Sequence, residues 1–135
     1  MPSISRTNTN YSDLDLNFTL NPITHDVARK TGVDAVKQSV KNLVLTNFWD
    51  RPFYQSQIGS NVNALLFENI TPATARLISQ NIENTINNWE PRAQLNQVIV
   101  SVPSDQPNFL KVDVVFTVKN TTQPVTVSVF LERIR

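Results

Sequence analysis

The chain has 135 residues and a formal net charge of +1, with 40% hydrophobic and 17% charged residues, one histidine and no cysteine. This length predicts one domain, over residues 14–135, preceded by a flexible polar arm over residues 1–13. The lysines and arginines are dispersed, which argues against a nucleic-acid partner. No segment approaches the roughly 20 apolar residues of a membrane span, and a chain without cysteine excludes disulfides and most structural zinc sites.

An alternating pattern predicts a strand at the start of the domain. Leu14, Leu16, Phe18 and Leu20 are separated by polar residues, which is the period of two that is typical of a half-buried strand. The Asn-Pro-Ile-Thr segment at residues 21–24 then predicts a turn. Residues 26–29 are a candidate return strand, so the N-terminal element is a strand or a hairpin.

Helical spacing of apolar residues predicts two main helices and a short one. The first begins with Asp34 as its cap and continues to about Thr46. The last has Thr71 as its cap and Pro72 at the first helical position, and it ends near Trp89. The short helix is predicted over residues 61–68. The residues expected to face the core are Val36, Val40, Leu43 and Val44 in the first helix, Val62, Leu65, Leu66 and Phe67 in the short helix, and Ala75, Ile78, Ile82, Ile86 and Trp89 in the last.

The chain after Arg92 alternates with a period of two in three successive runs. Connections of about five residues fit hairpins and not parallel crossovers, so the pattern predicts a three-stranded antiparallel meander. Helices followed by a meander indicate an α+β fold, with the helices packed on the apolar face of the sheet. The residues expected on that face are Val98, Val100 and Val102, then Leu110, Val112, Val114, Phe116 and Val118, then Val125, Val127, Val129 and Leu131.

The segment Glu90-Pro91-Arg92 lies where the last helix must stop and the strands begin. Pro91 restricts the residue before it to extended backbone, which ends the helix. Arg92 has a planar guanidinium that can hold a carboxylate through two hydrogen bonds. The residues alone leave two interpretations, a helix stop with two solvated charges or a preorganised corner that docks onto another protein. In either case Arg92 should keep Glu90 ionised, which disfavours a role as general acid.

Enzymatic chemistry has weak support in the sequence. A glycosidase needs two carboxylates about 5 to 9.5 Å apart, one with a raised pKa, and the candidates Asp50, Glu68, Glu83 and Glu90 show no such pattern. His25 has no cysteine to activate and no serine in a nucleophile elbow. We therefore expect no catalytic residues, no metal and no cofactor.

An aromatic segment over residues 47–59 interrupts the helical part of the chain. It contains Trp49, Phe53 and Tyr54, and Pro52 keeps it out of regular helix. Without neighbouring basic residues, these rings are more typical of a hydrophobic anchor than of a base-stacking site. The sequence leaves open whether the anchor is in the core or at an interface.

Taken together, the order of these motifs resembles the baseplate wedge proteins of T4-type contractile-tailed phages, a family often labelled lysozyme-like and related to the type VI secretion protein TssE. The resemblance extends over nearly the whole chain from about residue 12. One departure is Trp49-Asp50, where many relatives carry Gly-Glu before the Arg-Pro segment. The matching segments are residues 14–22, 26–27, 35–46, 51–53, 59, 65–68 and 89–92.

The resemblance implies a non-enzymatic structural subunit, present in several copies, with six-fold symmetry, in the virion tail baseplate after assembly in the host cytoplasm. It implies that the C-terminal sheet accepts strands from the tail sheath protein and templates the first sheath ring, and the tail tube is a further candidate partner. The alternatives are a peptidoglycan hydrolase of the tail and a free regulatory adaptor. The residues expected to contact other wedge subunits are Glu90, Pro91 and Arg92, with Trp89, Arg51 and Phe53.

Overall fold

The computed structural model describes residues 11–47, 58–119 and 121–132. It confirms the predicted α+β class, with an N-terminal two-stranded sheet, helices, and a C-terminal three-stranded sheet. The elements in chain order are β1 (Ser12–Leu14), β2 (Arg29–Thr31), α1 (Val33–Leu45), α2 (Val62–Leu65), α3 (Pro72–Trp89), β3 (Ala93–Ser101), β4 (Phe109–Val118) and β5 (Pro124–Glu132).

The N-terminal hairpin is shorter than predicted and begins earlier. Strands β1 and β2 pair antiparallel with Asp13 opposite Lys30, so Asp13, which we placed in the arm, belongs to the folded domain. The prediction of a strand over residues 14–20 is wrong beyond Leu14. The Asp15 carboxylate accepts hydrogen bonds from the backbone N–H of Asn17, at 3.1 Å, and from the Thr19 hydroxyl, and these bonds bend the chain.

This bend also turns the apolar side chains of the segment outward. Leu14, Leu16, Phe18 and Leu20 are between 51% and 71% exposed, so the expected half-buried face does not form. Phe18 has a positive φ of 53°, which is uncommon for a bulky residue. An isolated bridge between residues 20 and 27 closes the far end of the hairpin.

Helix α1 lies close to its predicted position but starts differently. It begins at Val33 after Gly32, whose φ of 61° suits glycine, and Asp34 lies in the first turn without acting as the cap. Val36, Val40 and Val44 are buried as predicted. The predicted Leu43 is half-buried, because it lies toward the edge of the apolar stripe.

Helix α3 confirms the predicted boundaries. The Thr71 side chain accepts a hydrogen bond from the backbone N–H of Thr74 at 3.2 Å, and Pro72 occupies the first turn. Ile78, Ile82 and Ile86 are fully buried, while the predicted Ala75 and Trp89 at the ends of the stripe are half-buried.

The short helix α2 is one turn long, not the eight residues predicted. Val62 and Leu66 are buried, but Phe67 is 70% exposed and does not belong to the core. The reason is that the regular helix ends at Leu65, so the spacing that would carry Phe67 back to the apolar face is lost.

The C-terminal meander has the predicted topology, with strand order β3-β4-β5 and antiparallel pairing throughout. The five predicted inward residues of β4, from Leu110 to Val118, are all buried. Val102 lies beyond the end of β3 and is 44% exposed, which corrects its predicted place on the apolar face. Helix α3 packs mainly against β3 and helix α1 against β5, so the core lies between the helices and one face of the sheet.

Candidate functional site

The Glu90-Pro91-Arg92 corner forms at the end of α3, where the chain turns into β3. Glu90 has φ −124° and ψ 81°, the extended backbone expected before a proline. Its backbone N–H still donates to the Ile86 carbonyl at 2.9 Å, which closes the last helical turn. Three residues after Glu90 the chain enters β3, and the backbone N–H of Lys119, just past the end of β4, donates to the Arg92 carbonyl at 2.9 Å.

The two charges of the corner bind each other. The guanidinium of Arg92 donates from Nε to Glu90 Oε1 at 2.7 Å and from Nη2 to Glu90 Oε2 at 3.0 Å, which is a bidentate pair. The hydroxyl of Ser39, on α1, donates to the same carboxylate. Glu90 is only 2% exposed, so its negative charge is neutralised inside the protein. The interpretation of two solvated charges at a helix stop is therefore wrong.

Arg92 also connects the corner to the N-terminal hairpin. Its Nη1 and Nη2 donate to the two carboxylate oxygens of Asp13 at 3.4 and 3.3 Å. The guanidinium carbon lies 5.6 Å from the centre of the Tyr11 ring, within the range of a cation–π contact. One side chain therefore contacts groups from the hairpin and the end of α3, and through Glu90 it is linked to α1.

The pKa values of the pair follow from this geometry. Burial acts to raise the pKa of Glu90, but hydrogen bonds from Arg92 and Ser39 together outweigh it and hold the pKa below its ordinary value. The hydrogen bonds to Glu90 raise the pKa of Arg92, with a further contribution from Asp13. Glu90 is thus an ionised internal carboxylate, as expected from its neighbour, and is unsuited to donate a proton.

Of the other predicted contact residues, the structure describes Pro91 and Trp89 but not Arg51 and Phe53. Pro91 is exposed, and Trp89 is half-buried. Trp89 lines a groove of about 410 Å³ that also contacts Asp13 and Ser39, so it lies close to the corner. Arg51 and Phe53, like the rest of residues 48–57, lie outside the described residues.

Sequence reasoning missed the side chains that complete the corner. Tyr11 and Asp13 had been assigned to the arm, and Ser39 lies among the polar positions of α1 without a motif around it. No sequence signal could have found Asp13, since it is 79 positions from Arg92 and no motif links the two.

The remaining candidates for chemistry that the structure describes do not assemble into a site, and Asp50 lies outside the described residues. Glu83 is half-buried on α3, Glu68 is exposed beyond α2, and His25 lies in the exposed turn of the hairpin. In residues 11–47, 58–119 and 121–132, no group of three histidine or carboxylate side chains is placed to hold a metal ion. None of the helices described there is long and apolar enough to cross a membrane.

The two outer strands of the meander present different edges. Strand β3 contains an irregularity at Asn96, where the register to β4 shifts between Leu95 and Gln97, and such a bulge twists an edge away from regular pairing. Strand β5 pairs with β4 over nine consecutive residues without a shift, and its proline is at the first position. In the described sheet, β5 is therefore the more regular open edge.

The comparisons with known proteins agree with one another. Residues 30–123 match the family model of baseplate wedge protein gp25. The chain is 37% identical over 82 residues to baseplate wedge protein gp25 of Enterobacteria phage T4, a match that spans 61% of this chain and 61% of that protein's own length.

Two solved structures share the fold. A crystal structure of a candidate tail lysozyme from Geobacter sulfurreducens superposes with a TM-score of 0.69 at 20% identity, covering 76% of this chain and 91% of that one. A chain in the six-fold symmetrised cryo-EM structure of the anti-feeding prophage baseplate gives a TM-score of 0.64 at 24% identity, covering 94% and 89%. The family model covers most of the chain and includes the Glu-Pro-Arg corner, and on this basis the chain belongs to the family of baseplate wedge protein gp25.

Proposed function

We propose that this chain is a structural subunit of a contractile phage tail baseplate that joins the wedge core to the tail sheath. Membership of the baseplate wedge family supports a structural role in the baseplate. The observation that carries the contact with the tail sheath is the open edge of β5, a nine-residue strand with a regular ladder on one side. An added segment would complete the ladder on the other side, and in this way β5 templates the first sheath ring.

The location and symmetry follow from the same proposal. The subunit is assembled in the host cytoplasm and resides in the virion tail baseplate, in several copies around the tail tube. The six-fold symmetry reported for the anti-feeding prophage baseplate supports a six-fold arrangement.

The Glu-Pro-Arg corner has a two-part role in this proposal. Glu90 acts from inside, because its buried carboxylate orients the guanidinium of Arg92 through two hydrogen bonds. Pro91, Trp89 and the partly exposed side of Arg92 contact the other wedge subunits. Arg51 and Phe53, which lie outside the described residues, are further contact residues in this proposal.

Hydrogen exchange tests the role of β5 without any substitution. The purified chain and intact tails are exchanged in parallel, and peptides covering β5 and β3 are compared. Strand addition predicts that residues 124–132 become strongly protected in the tails, because amides that faced water now donate to a neighbouring strand. Equal exchange of residues 124–132 in the free and assembled states would remove β5 from the mechanism.

We also propose that the chain is not an enzyme. Of the four candidate carboxylates, Glu90 is buried and ionised, so it supplies neither the accessible group nor the raised pKa of a general acid. Incubating the purified protein with peptidoglycan tests this directly. Release of soluble fragments that is abolished by Glu68→Gln would establish a hydrolase instead.

A further inference from the structure

A basic groove lies next to the open edge of β5. Its volume is about 630 Å³, and it is bordered by β5 at residues 126–128 and by helix α1. Lys37 and Lys41 project from α1 into its lining, and Lys30 of β2 lines it from the hairpin. We name this feature the basic edge groove and define it by Lys30, Lys37, Lys41 and residues 126–128.

The charges in the groove are not balanced within the domain. Lys30 forms an ion pair with Asp15 at 3.7 Å. In the part of the chain that the structure describes, neither Lys37 nor Lys41 has a carboxylate within ion-pair distance. Asp34 is the acidic residue of the lining, so with Lys30 paired to Asp15 two positive charges there face one negative charge. Two lysines four positions apart on a helix also repel each other.

We propose that the basic edge groove selects an acidic segment as it adds to β5, one with carboxylates at two positions separated by a single residue. This inference rests on the proposed role of β5 and specifies the chemistry of its partner. A strand added to β5 would lie about 4.8 Å from it, and the groove borders residues 126–128 of β5.

The spacing of the lysines agrees with the repeat of a strand. Residues four apart on a helix are separated by a rise of about 6 Å, and residues two apart on a strand are separated by about 6.6 Å on the same face. In an added segment that runs alongside α1, carboxylates at positions i and i+2 therefore match the separation of Lys37 and Lys41. The backbone of β5 supplies affinity for any extended chain, while these lysines supply discrimination between chains.

Three synthetic peptides test the proposal on the full-length chain. Each is a nine-residue segment of alternating valine and polar residues, and the two central polar positions are both glutamate, both glutamine or both lysine. Binding is followed by fluorescence anisotropy at low salt, and protection of residues 124–132 is followed by hydrogen exchange. The variants are K37E/K41E and a matched control, R76E/K119E, which has the same net charge but alters exposed residues outside the groove.

We expect the glutamate peptide to bind the wild type and the control equally, and to bind K37E/K41E about tenfold more weakly. The lysine peptide should bind K37E/K41E more tightly than the wild type. Added salt should weaken the binding of the glutamate peptide to the wild type most. Equal affinity of the glutamate and glutamine peptides for the wild type, with residues 124–132 protected, would overturn the charge selection and leave strand addition intact. If none of the three peptides protects residues 124–132, the proposal is overturned as well. The exchange data on intact tails would then decide separately whether β5 is an interface.

Discussion

Replacing Arg92 with alanine should destabilise the isolated domain, because it leaves a buried carboxylate without its charged partner. The Glu90 side chain is 3% exposed and the Arg92 side chain 22% exposed. Removing one member of a buried ion pair costs about 3 to 5 kcal/mol. Since water can reach part of the space vacated by Arg92, we expect the lower end, about 3 kcal/mol in the free energy of unfolding.

This loss is large compared with the total stability of a small domain, about 5 to 15 kcal/mol. With a urea m value of about 2 kcal/mol/M, it lowers the midpoint of unfolding by roughly 1.5 M. Circular dichroism at 222 nm follows the transition. Arg76→Ala is the matched control, because Arg76 is exposed on α3, and it should change stability by less than about 0.5 kcal/mol.

The pH dependence of the free energy of unfolding separates the contribution of the buried charge from that of packing. In the wild type the pKa of Glu90 lies below its ordinary value of 4.5, so its contribution is present above that value and is lost as the pH falls through the folded pKa. Without Arg92, burial raises the pKa of Glu90, and the variant can relieve the buried charge by taking up a proton. The stability difference between wild type and Arg92→Ala should therefore narrow between pH 7 and pH 4.

A double variant completes the test. E90Q/R92A removes the buried charge together with its partner, so it should be more stable than Arg92→Ala at pH 7. A difference between Arg92→Ala and wild type that is below 0.5 kcal/mol, or that is the same at pH 4 and pH 7, would refute an electrostatic role for the corner.

Four further substitutions test the packing and the backbone, each by urea unfolding. Ile82→Ala truncates a fully buried side chain of α3 and should cost about 3 to 4 kcal/mol. Gly59→Ala should destabilise the domain more than Gly32→Ala, although both glycines have positive φ. A Cβ at Gly59 would lie 2.3 Å from the backbone oxygen of Thr46, whereas a Cβ at Gly32 would have no neighbour within 4 Å. Equal losses of stability would contradict the steric argument. Thr71→Ala removes the side-chain cap of α3 and should cost about 1 kcal/mol, and no change would mean that the capping hydrogen bond contributes nothing.

The predicted elements that the structure confirms are those specified by local interactions. The boundaries of α3 followed from a capping threonine, a proline at its start and a proline after Glu90, each of which acts within a few residues. Strands β4 and β5 followed from a period of two that extends over nine or ten residues. Long regular patterns of this kind leave one way to bury their apolar face.

The errors lie where the pattern was short and a side chain intervened. The alternation from Leu14 to Leu20 resembled a strand, but Asp15 forms hydrogen bonds two and four residues along the chain and bends it. Phe67 has the spacing of a core residue, but α2 stops after one turn. Short elements are decided by such competing contacts, which periodicity does not describe.

The sequence by itself determined the fold class, the order of the elements and the position of the Glu-Pro-Arg corner, because these depend on local propensity and on apolar periodicity. Only the tertiary structure decided which groups the corner contacts and which strand is left open. Arg92 reaches Asp13 across 79 positions, and β5 adjoins the lysines of α1 because that helix packs against it. Contacts between distant segments depend on how the complete chain packs, and no local pattern in the sequence encodes them.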